Sequence, residues 1–378
     1  MEYKALKDIA RITMGQSPDS SSYNEDGDGM PFFQGNADFG EVYPNERIWC
    51  NDPKKIAEPG DILISVRAPI GALNYAKDEC CIGRGLAAIT IEDEAERNYV
   101  FHLLKAKNSD LNKQGTGSTF KAIGKAVLED VQVPQISREE QQNYMKMMDL
   151  LESIIRKRKT QLASLDELIK ARFVEMFGTP LLNQKGWGVI TAEECCNVIT
   201  DGSHFSPQGQ VEGYPMLSVK DMRNDGFHYE SCKRVSEDDF QILKKQGCIP
   251  QVNDVLISKD GSYFYYGFVL SEYKDQAILS SIAMLRPDTQ VVNPYYLCNY
   301  MLSERIVELV SENYVTGAAL KRVILKGIKH IPVMVPPIES QNEFADFVKQ
   351  VDKSKVAVKK ALDEAQLLFD SLMQEYFG

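Results

Sequence analysis

With 378 residues, 43% of them hydrophobic and 26% charged, the chain has the composition of an ordinary globular protein of two or three domains, not of a disordered or fibrous one. It contains no run of about 18 apolar residues, so no transmembrane helix is expected, and Met1-Glu2-Tyr3-Lys4 opens no secretory signal. A net charge of −11 argues against a broadly basic nucleic-acid binder and requires any phosphate-contacting face to concentrate its positive residues.

Residues 1 to about 137 read as a mixed, mostly β domain. Leu6, Ile9 and Ile12 form a short amphipathic opening, and the polar stretch from Gly15 to Asn24 is loop. A strand starts at Met30-Pro31-Phe32-Phe33 and runs on into Gln34-Gly35-Asn36-Ala37-Asp38-Phe39-Gly40. Gly60-Asp61 turns into a buried strand, Ile62-Leu63-Ile64-Ser65-Val66, and Leu86 to Ile91 forms another. Helices are expected over Tyr99–Leu111 and Phe120–Leu128, and Val131-Gln132-Val133-Pro134 is a terminal edge strand that the proline ends.

From about Ser137 to Phe177 the periodicity changes to that of a long helix. Met148, Ile155, Leu162, Ile169 and Met176 recur every seven residues, interleaved with Tyr144, Leu151, Arg158, Leu165 and Arg172. An a/d seam over four to five heptads with charged flanks predicts a coiled coil. Arg158 and Arg172 interrupt the seam, either as snorkelling side chains or as charges that fix the register of a partner. Gly178 and Pro180 supply the stop.

The remainder repeats the plan. Ile190 to Ile199 is a second opening. Tyr214 to Asp221 answers the strand from Met30, and Asn253-Asp254-Val255-Leu256-Ile257-Ser258 answers Gly60 to Ser65. Ala283-Met284-Leu285 answers Ala87-Ala88-Ile89, and Tyr295-Tyr296-Leu297 answers Tyr99-Val100-Phe101. Shifting by 200 residues lays a second seam (Phe344, Val348, Val351, Lys355, Val358, Leu362, Ala365, Phe369, Leu372, Tyr376) onto the first, and both copies finish Glu-x-Phe-Gly at Gly178 and Gly378. Thr116-Gly117 and Lys121 pair with Thr316-Gly317 and Lys321, and Glu139 and Gln141 with Glu339 and Gln341. Framework segments match while loops differ. Arg67-Ala68-Pro69-Ile70-Gly71 has no better partner than Lys259-Asp260-Gly261-Ser262-Tyr263, the pattern of one scaffold carrying two binding surfaces.

The strings Gly15-x-Ser17-Pro18, Pro31-Phe32-Phe33-x-Gly35-Asn36, Gly60 to Ser65, Thr116-Gly117-Ser118, and Pro134 followed by Glu139-x-Gln141 recur in order in the second half, with departures at Ser17-Pro18 and Gly35-Asn36. On these strings and the arrangement domain–helix–domain–helix, the chain resembles, over essentially its whole length, the specificity subunit of type I restriction–modification systems. The resemblance implies an α+β chain: two β-rich α/β target recognition domains in tandem (1–137 and 179–337), separated and followed by spacer helices (138–178 and 338–378). These helices would form an antiparallel coiled coil with pseudo-twofold internal symmetry. It implies a cytoplasmic, non-catalytic subunit whose partners are double-stranded DNA, two methyltransferase subunits and, through the complex, restriction–translocase subunits. Adenine methylation and ATP-dependent cleavage would belong to those partners, and no cofactor, metal or membrane is expected for the chain itself. A helix of about 40 residues rises roughly 60 Å, close to 17 base pairs of B-DNA. Quasi-symmetric halves on such a rod could reach two segments of one duplex, and unlike halves would read an asymmetric site.

Catalytic signatures fail on inspection. Gly124-Lys125 lacks the rest of a phosphate loop, Asp38-Phe39-Gly40 stands without other kinase elements, and Gly83-x-Gly85 is a bare pair of glycines. Eight cysteines without a C-x-x-C read as reduced structural thiols, and His102, His204, His228 and His330 are scattered. Basic, amide and hydroxyl residues in loops beside the matched strands are the candidates for phosphate and base contact: Gln34, Asn36, Arg67, Arg84, Ser118 and Lys121 in the first domain, and Lys220, Arg223, Lys259, Ser262, Lys321 and Arg322 in the second. Each could equally be a solvated charge or pair with one of 54 acidic residues, and Thr116 and Thr316 could cap helices instead. Met147, Ile154, Leu168, Phe347 and Leu368 are apolar residues beyond the seam's needs and are candidate docking points for methyltransferase subunits. A duplicated protein-interaction scaffold without DNA binding is the competing reading, and it predicts that the basic and amide residues do not converge on one face.

Overall fold

The computed structural model describes residues 2–117, 121–317 and 321–377. Contacts divide the chain into two compact units, Met1–Lys159 with Lys360–Gly378, and Thr160–Lys359. The division runs through both long helices (Arg138–Phe177 and Ile338–Phe377), so each unit holds one β-rich domain and a segment of each helix. Among the described residues no helix is long and apolar enough to cross a membrane.

In the first unit a four-stranded antiparallel sheet runs in the order Arg11–Met14, Leu86–Thr90, Ile62–Ser65, Leu73–Tyr75. The strand Ile62–Ser65 is buried on both faces, which explains its unbroken apolar reading. A five-stranded sheet joins Tyr23–Asn24, Trp49–Cys50, Met30–Phe33, Cys80–Ile82 and Ile56–Ala57, with a parallel pairing of Met30–Phe33 and Cys80–Ile82. A ribbon of Glu2–Ala5 and Gln132–Gln135 ties the start of the domain to its end. Pro134 lies within that ribbon rather than ending it, opposite Tyr3, since a two-stranded edge tolerates a missing N–H. The expected strand from Met30 stops at Phe33, where a turn begins. The helix expected over Tyr99–Leu111 is two helices, Glu94–Ala106 and Asn108–Gln114, and the shorter one is Lys125–Glu129.

The second unit repeats this connectivity. Its four-stranded sheet runs Cys196–Asp201, Ile282–Pro287, Val255–Ser258, Gly267–Val269. Tyr214–Leu217 pairs parallel with Ala277–Ile278, and Gly188–Thr191 closes on Pro332–Val335. The opening expected as one segment, Ile190 to Ile199, is therefore two strands.

The central helix begins with a capping box. Ser137 Oγ accepts from Glu140 N (3.2 Å), and the Glu140 carboxylate accepts from Ser137 Oγ (2.7 Å) and Ser137 N (2.9 Å), which together hold that carboxyl below its usual pKa. At the other end Gly178 takes φ +80°, while Trp187 Nε1 and Lys185 Nζ donate to the carbonyls of Phe177, Glu175 and Met176.

Within each unit the helix segments pack against each other and their own domain. In the second, Lys355 Nζ reaches Asp166 (2.6 Å) and Arg172 Nη2 reaches Glu343 (2.9 Å), so numbers rise on one helix as they fall on the other. Two of the seam-interrupting charges thus form cross-helix ion pairs that specify an antiparallel register. In the first unit Tyr144 stacks on Tyr376 with centroids 3.7 Å apart. The repeated terminal phenylalanines anchor the helices to the domains: Phe177 lies 4.8 Å from the Tyr296 ring and Phe377 5.2 Å from Tyr99. Tyr99 therefore corresponds to Tyr296, one residue beyond the match with Tyr295 made on sequence. Ile154 and Phe347 pack against the cores, whereas Met147, Leu168 and Leu368 are exposed, together with Leu150, Val356 and Leu367.

Candidate nucleic-acid interface

In the first unit, four segments distant in sequence are laced side by side by backbone hydrogen bonds. Gly83 N donates to Phe33 O (2.8 Å), Val66 N to Gly85 O (2.9 Å), Ile123 N to Val66 O (2.9 Å) and Ala68 N to Lys121 O (3.1 Å). Gln34, Arg84, Arg67 and Lys121 ride on these segments and are exposed, with Asn36 half-buried beside Gln34. None of the three cations has an ion-pair partner among the described residues. The crossings are tight: a Cβ on Gly85 would lie 2.2 Å from Gln34 O, and one on Gly15 would lie 2.1 Å from Gly83 O. The Asp38 carboxylate braces the turn after Phe33 by accepting from Gln34 N (2.7 Å) and Gly35 N (3.3 Å) and pairing with Arg47, a structural use for the Asp38-Phe39-Gly40 string.

The second unit reproduces the lacing bond for bond. Leu279 N donates to Leu217 O (2.8 Å), Lys259 N to Ser281 O (2.9 Å), Val323 N to Lys259 O (3.0 Å) and Gly261 N to Lys321 O (2.8 Å), while Asp221 accepts from Ser218 N (2.8 Å). These bonds set Ser218 in the place of Gln34, Lys259 of Val66, Asp260 of Arg67, Ser280 of Arg84 and Lys321 of Lys121, while Lys220 lies in the turn that Asp221 closes.

Lys259 is thus not the counterpart of Arg67. It takes the buried position of Val66, is 5% exposed, and directs Nζ at Asp201 (3.3 Å) and Asp260 (3.4 Å). A buried ammonium needs such partners, so the structure withdraws this residue from the exposed set. Arg322 leans toward Asp260 (3.9 Å). Arg223 turns back on its own chain, donating to the Lys220 and Met222 carbonyls, with its guanidinium 5.6 Å from the Tyr266 ring centre. Lys220 and Lys321 are exposed without an ion pair among the described residues, and Ser262 is exposed in the turn that follows. Ser118 lies outside the described residues. Thr116 and Thr316 cap no helix. They bridge to Ala122 and Arg322, the residues that follow Lys121 and Lys321.

Three residues at these faces escaped the sequence reading. Ser17 Oγ accepts from Arg84 N (3.3 Å), Ser280 holds the place of Arg84, and Tyr265 stands 66% exposed beside Ser262. Tyr265 follows Phe264, whose φ of +53° occupies the turn position that Gly71 fills at +85° in the first unit. Matching Ser65 to Ser258 and counting on would have flagged an aromatic where the turn wants glycine. Elsewhere, the eight cysteines are free thiols, and no group of three or more His, Cys, Asp or Glu among the described residues is arranged to hold a metal. His102 is buried, and the other three histidines are partly or fully exposed.

The type I restriction modification DNA specificity domain model matches residues 1–165 and again 184–366. The chain is 45% identical over 156 residues to the MjaX type I restriction enzyme specificity subunit of Methanocaldococcus jannaschii, a match spanning 40% of this chain and 37% of that one. It is 22% identical to the MjaIX specificity subunit of the same organism over 98% of this chain and 91% of the relative. The crystal structure of the type I restriction–modification S subunit from M. genitalium superposes with a TM-score of 0.59 at 14% identity, covering 100% of this chain and 96% of that one, which shows a shared fold. With the domain model matched twice in tandem across nearly all of its length, the chain belongs to the type I restriction–modification DNA specificity family.

Proposed function

We propose that each β-rich domain of this specificity subunit reads one half of a bipartite, asymmetric site in duplex DNA, and that the paired helices set the spacing and dock two methyltransferase subunits. The observation that carries the reading is the lacing of Gln34, Arg67, Arg84 and Lys121 onto one exposed row, with the same bonds placing Lys321 in the second domain, where Lys220 is also exposed. Unpaired cations and amides on adjacent rigid segments supply what phosphate and base-edge contacts need. The acidic balance of the whole chain then belongs to faces turned away from DNA. Two domains that share a frame but differ in these side chains suit two unlike half-sites, and a helix of 40 residues rises about 60 Å, enough to span one and a half turns of duplex. Exposed Leu150, Val356 and Leu367 (56%, 70% and 72%) give the helices an apolar surface suited to protein partners. Methylation and ATP-dependent cleavage fall to methyltransferase and restriction–translocase subunits in a cytoplasmic complex.

A mobility shift with the full chain plus methyltransferase subunits, on random and on single-sequence duplexes at two salt concentrations, tests the proposal. Salt-sensitive binding that sharpens on one sequence is the expected result. Failure to retain any duplex at either salt overturns the proposal and leaves the protein-interaction scaffold.

A further inference from the structure

The two faces can be compared position by position because the same hydrogen bonds build both. Lys121 and Lys321 are identical in type, exposed, free of ion pairs among the described residues, and bonded alike through their carbonyls to Ala68 N and Gly261 N. A group common to both faces cannot make them read different bases, but it can hold what both half-sites share, the phosphate backbone. The discriminating positions are those where one frame carries unlike chemistry.

Two such positions carry arginine in the first domain only. Arg67 is answered by Asp260, whose carboxylate is 12% exposed and lies between Lys259 and Arg322. Arg84 is answered by Ser280. Arg67 and Arg84 sit on neighbouring segments joined by the Val66 N to Gly85 O bond. The backbone of Arg67 is pinned by its bridge to Ala122, and that of Arg84 by Ser17 Oγ. Arg84 is flanked by Gly83 and Gly85, so its two chain neighbours place no side chain beside it. A free guanidinium on a fixed backbone is the group that donates in bidentate fashion to O6 and N7 of guanine.

Resting on the DNA-reading function above, we propose that Arg67 and Arg84 are base-reading residues, that the half-site read by the first domain contains guanine at the positions they reach, and that Lys121 and Lys321 are phosphate holders common to both domains. The second domain reads its half-site without an arginine at either corresponding position.

The test is selection by the full-length chain together with methyltransferase subunits from a library of randomised duplexes at low salt, with sequencing of the retained fraction. The wild type is expected to enrich a two-part motif with guanine in one part. Arg67→Ala and Arg84→Ala should each reduce the preference at one guanine by roughly 5- to 150-fold and leave the other half of the motif unchanged. Arg67→Lys, which keeps the charge but not the fork, should lose the same preference. Lys121→Ala should weaken retention of all sequences alike without altering the motif. A first half-site lacking guanine, or a guanine preference that survives both arginine substitutions, overturns the assignment while leaving the DNA-reading function intact. A wild-type chain that enriches no sequence overturns that function and the assignment with it.

Discussion

Lys321 and Lys259 lie on adjoining laced segments of the second domain, and the structure assigns them opposite electrostatic fates. Under the proposed function, four exposed cations (Lys121, Lys220, Lys321 and Arg322) would contact phosphate. At about −0.9 per neutralised phosphate, the slope of log K against log salt is near −3.6, so affinity falls about 150-fold between roughly 50 and 200 mM salt. Lys321→Ala should flatten the slope to about −2.7 and cut that loss to about 40-fold. Lys259→Met should leave the slope unchanged, because its ammonium is spent on Asp201 and Asp260. Removing it takes the buried cation from two nearly buried carboxylates and should lower unfolding stability by about 3–5 kcal/mol. Anisotropy of a labelled duplex across the salt range measures the slopes, and chemical denaturation measures the stability. If Lys259→Met flattened the slope as much as Lys321→Ala while its unfolding curve stayed put, the division into buried brace and surface contact would be wrong.

Phe177 is fully buried among Tyr296, Phe173 and Phe344, so Phe177→Ala should lower stability by about 3–5 kcal/mol, seen as a shifted denaturation midpoint; an unshifted midpoint would show that the helix end is not anchored there. Arg286 holds the fully buried Asp254 carboxylate through two bonds of 2.8 Å, and Arg286→Met should cost about 3–5 kcal/mol in the same measurement. Burial pushes the His102 pKa from 6.5 down to about 4, and its Nδ1 has no hydrogen-bond partner among the described residues. Between those values the unfolded chain takes up a proton that the folded chain refuses, so this residue removes about 3 kcal/mol of stability as pH falls from 7 to 4. His102→Leu should flatten stability against pH by that amount, and parallel wild-type and variant curves would contradict it.

Much of the architecture was legible beforehand because it is periodic. A seven-residue apolar repeat, a Gly–Pro stop and a second copy 200 residues on are properties of spacing, and the two 40-residue helices follow from them. Boundaries set by tertiary contacts were less legible. The strand from Met30 stops at Phe33 because Asp38 folds back to cap Gln34 and Gly35, and the match of Tyr99 to Tyr296 depends on which ring meets the terminal phenylalanine.

The candidate site divides in the same way. That basic and amide residues lie in loops beside repeated strands can be read from the order of residues alone, as can the likeness of Lys121 to Lys321. Whether a charge is free depends on what lies within about 4 Å of it, and that is settled by folding. Lys259 meets Asp201 from another strand and is buried as a brace, while Arg67 and Arg84 meet no carboxylate among the described residues and stay exposed. The sequence alone determined the duplicated plan and its helices, since periodicity needs no distant partner. Only the tertiary structure decided which cations are left to meet a ligand, since an ion pair forms between residues that the chain order keeps far apart.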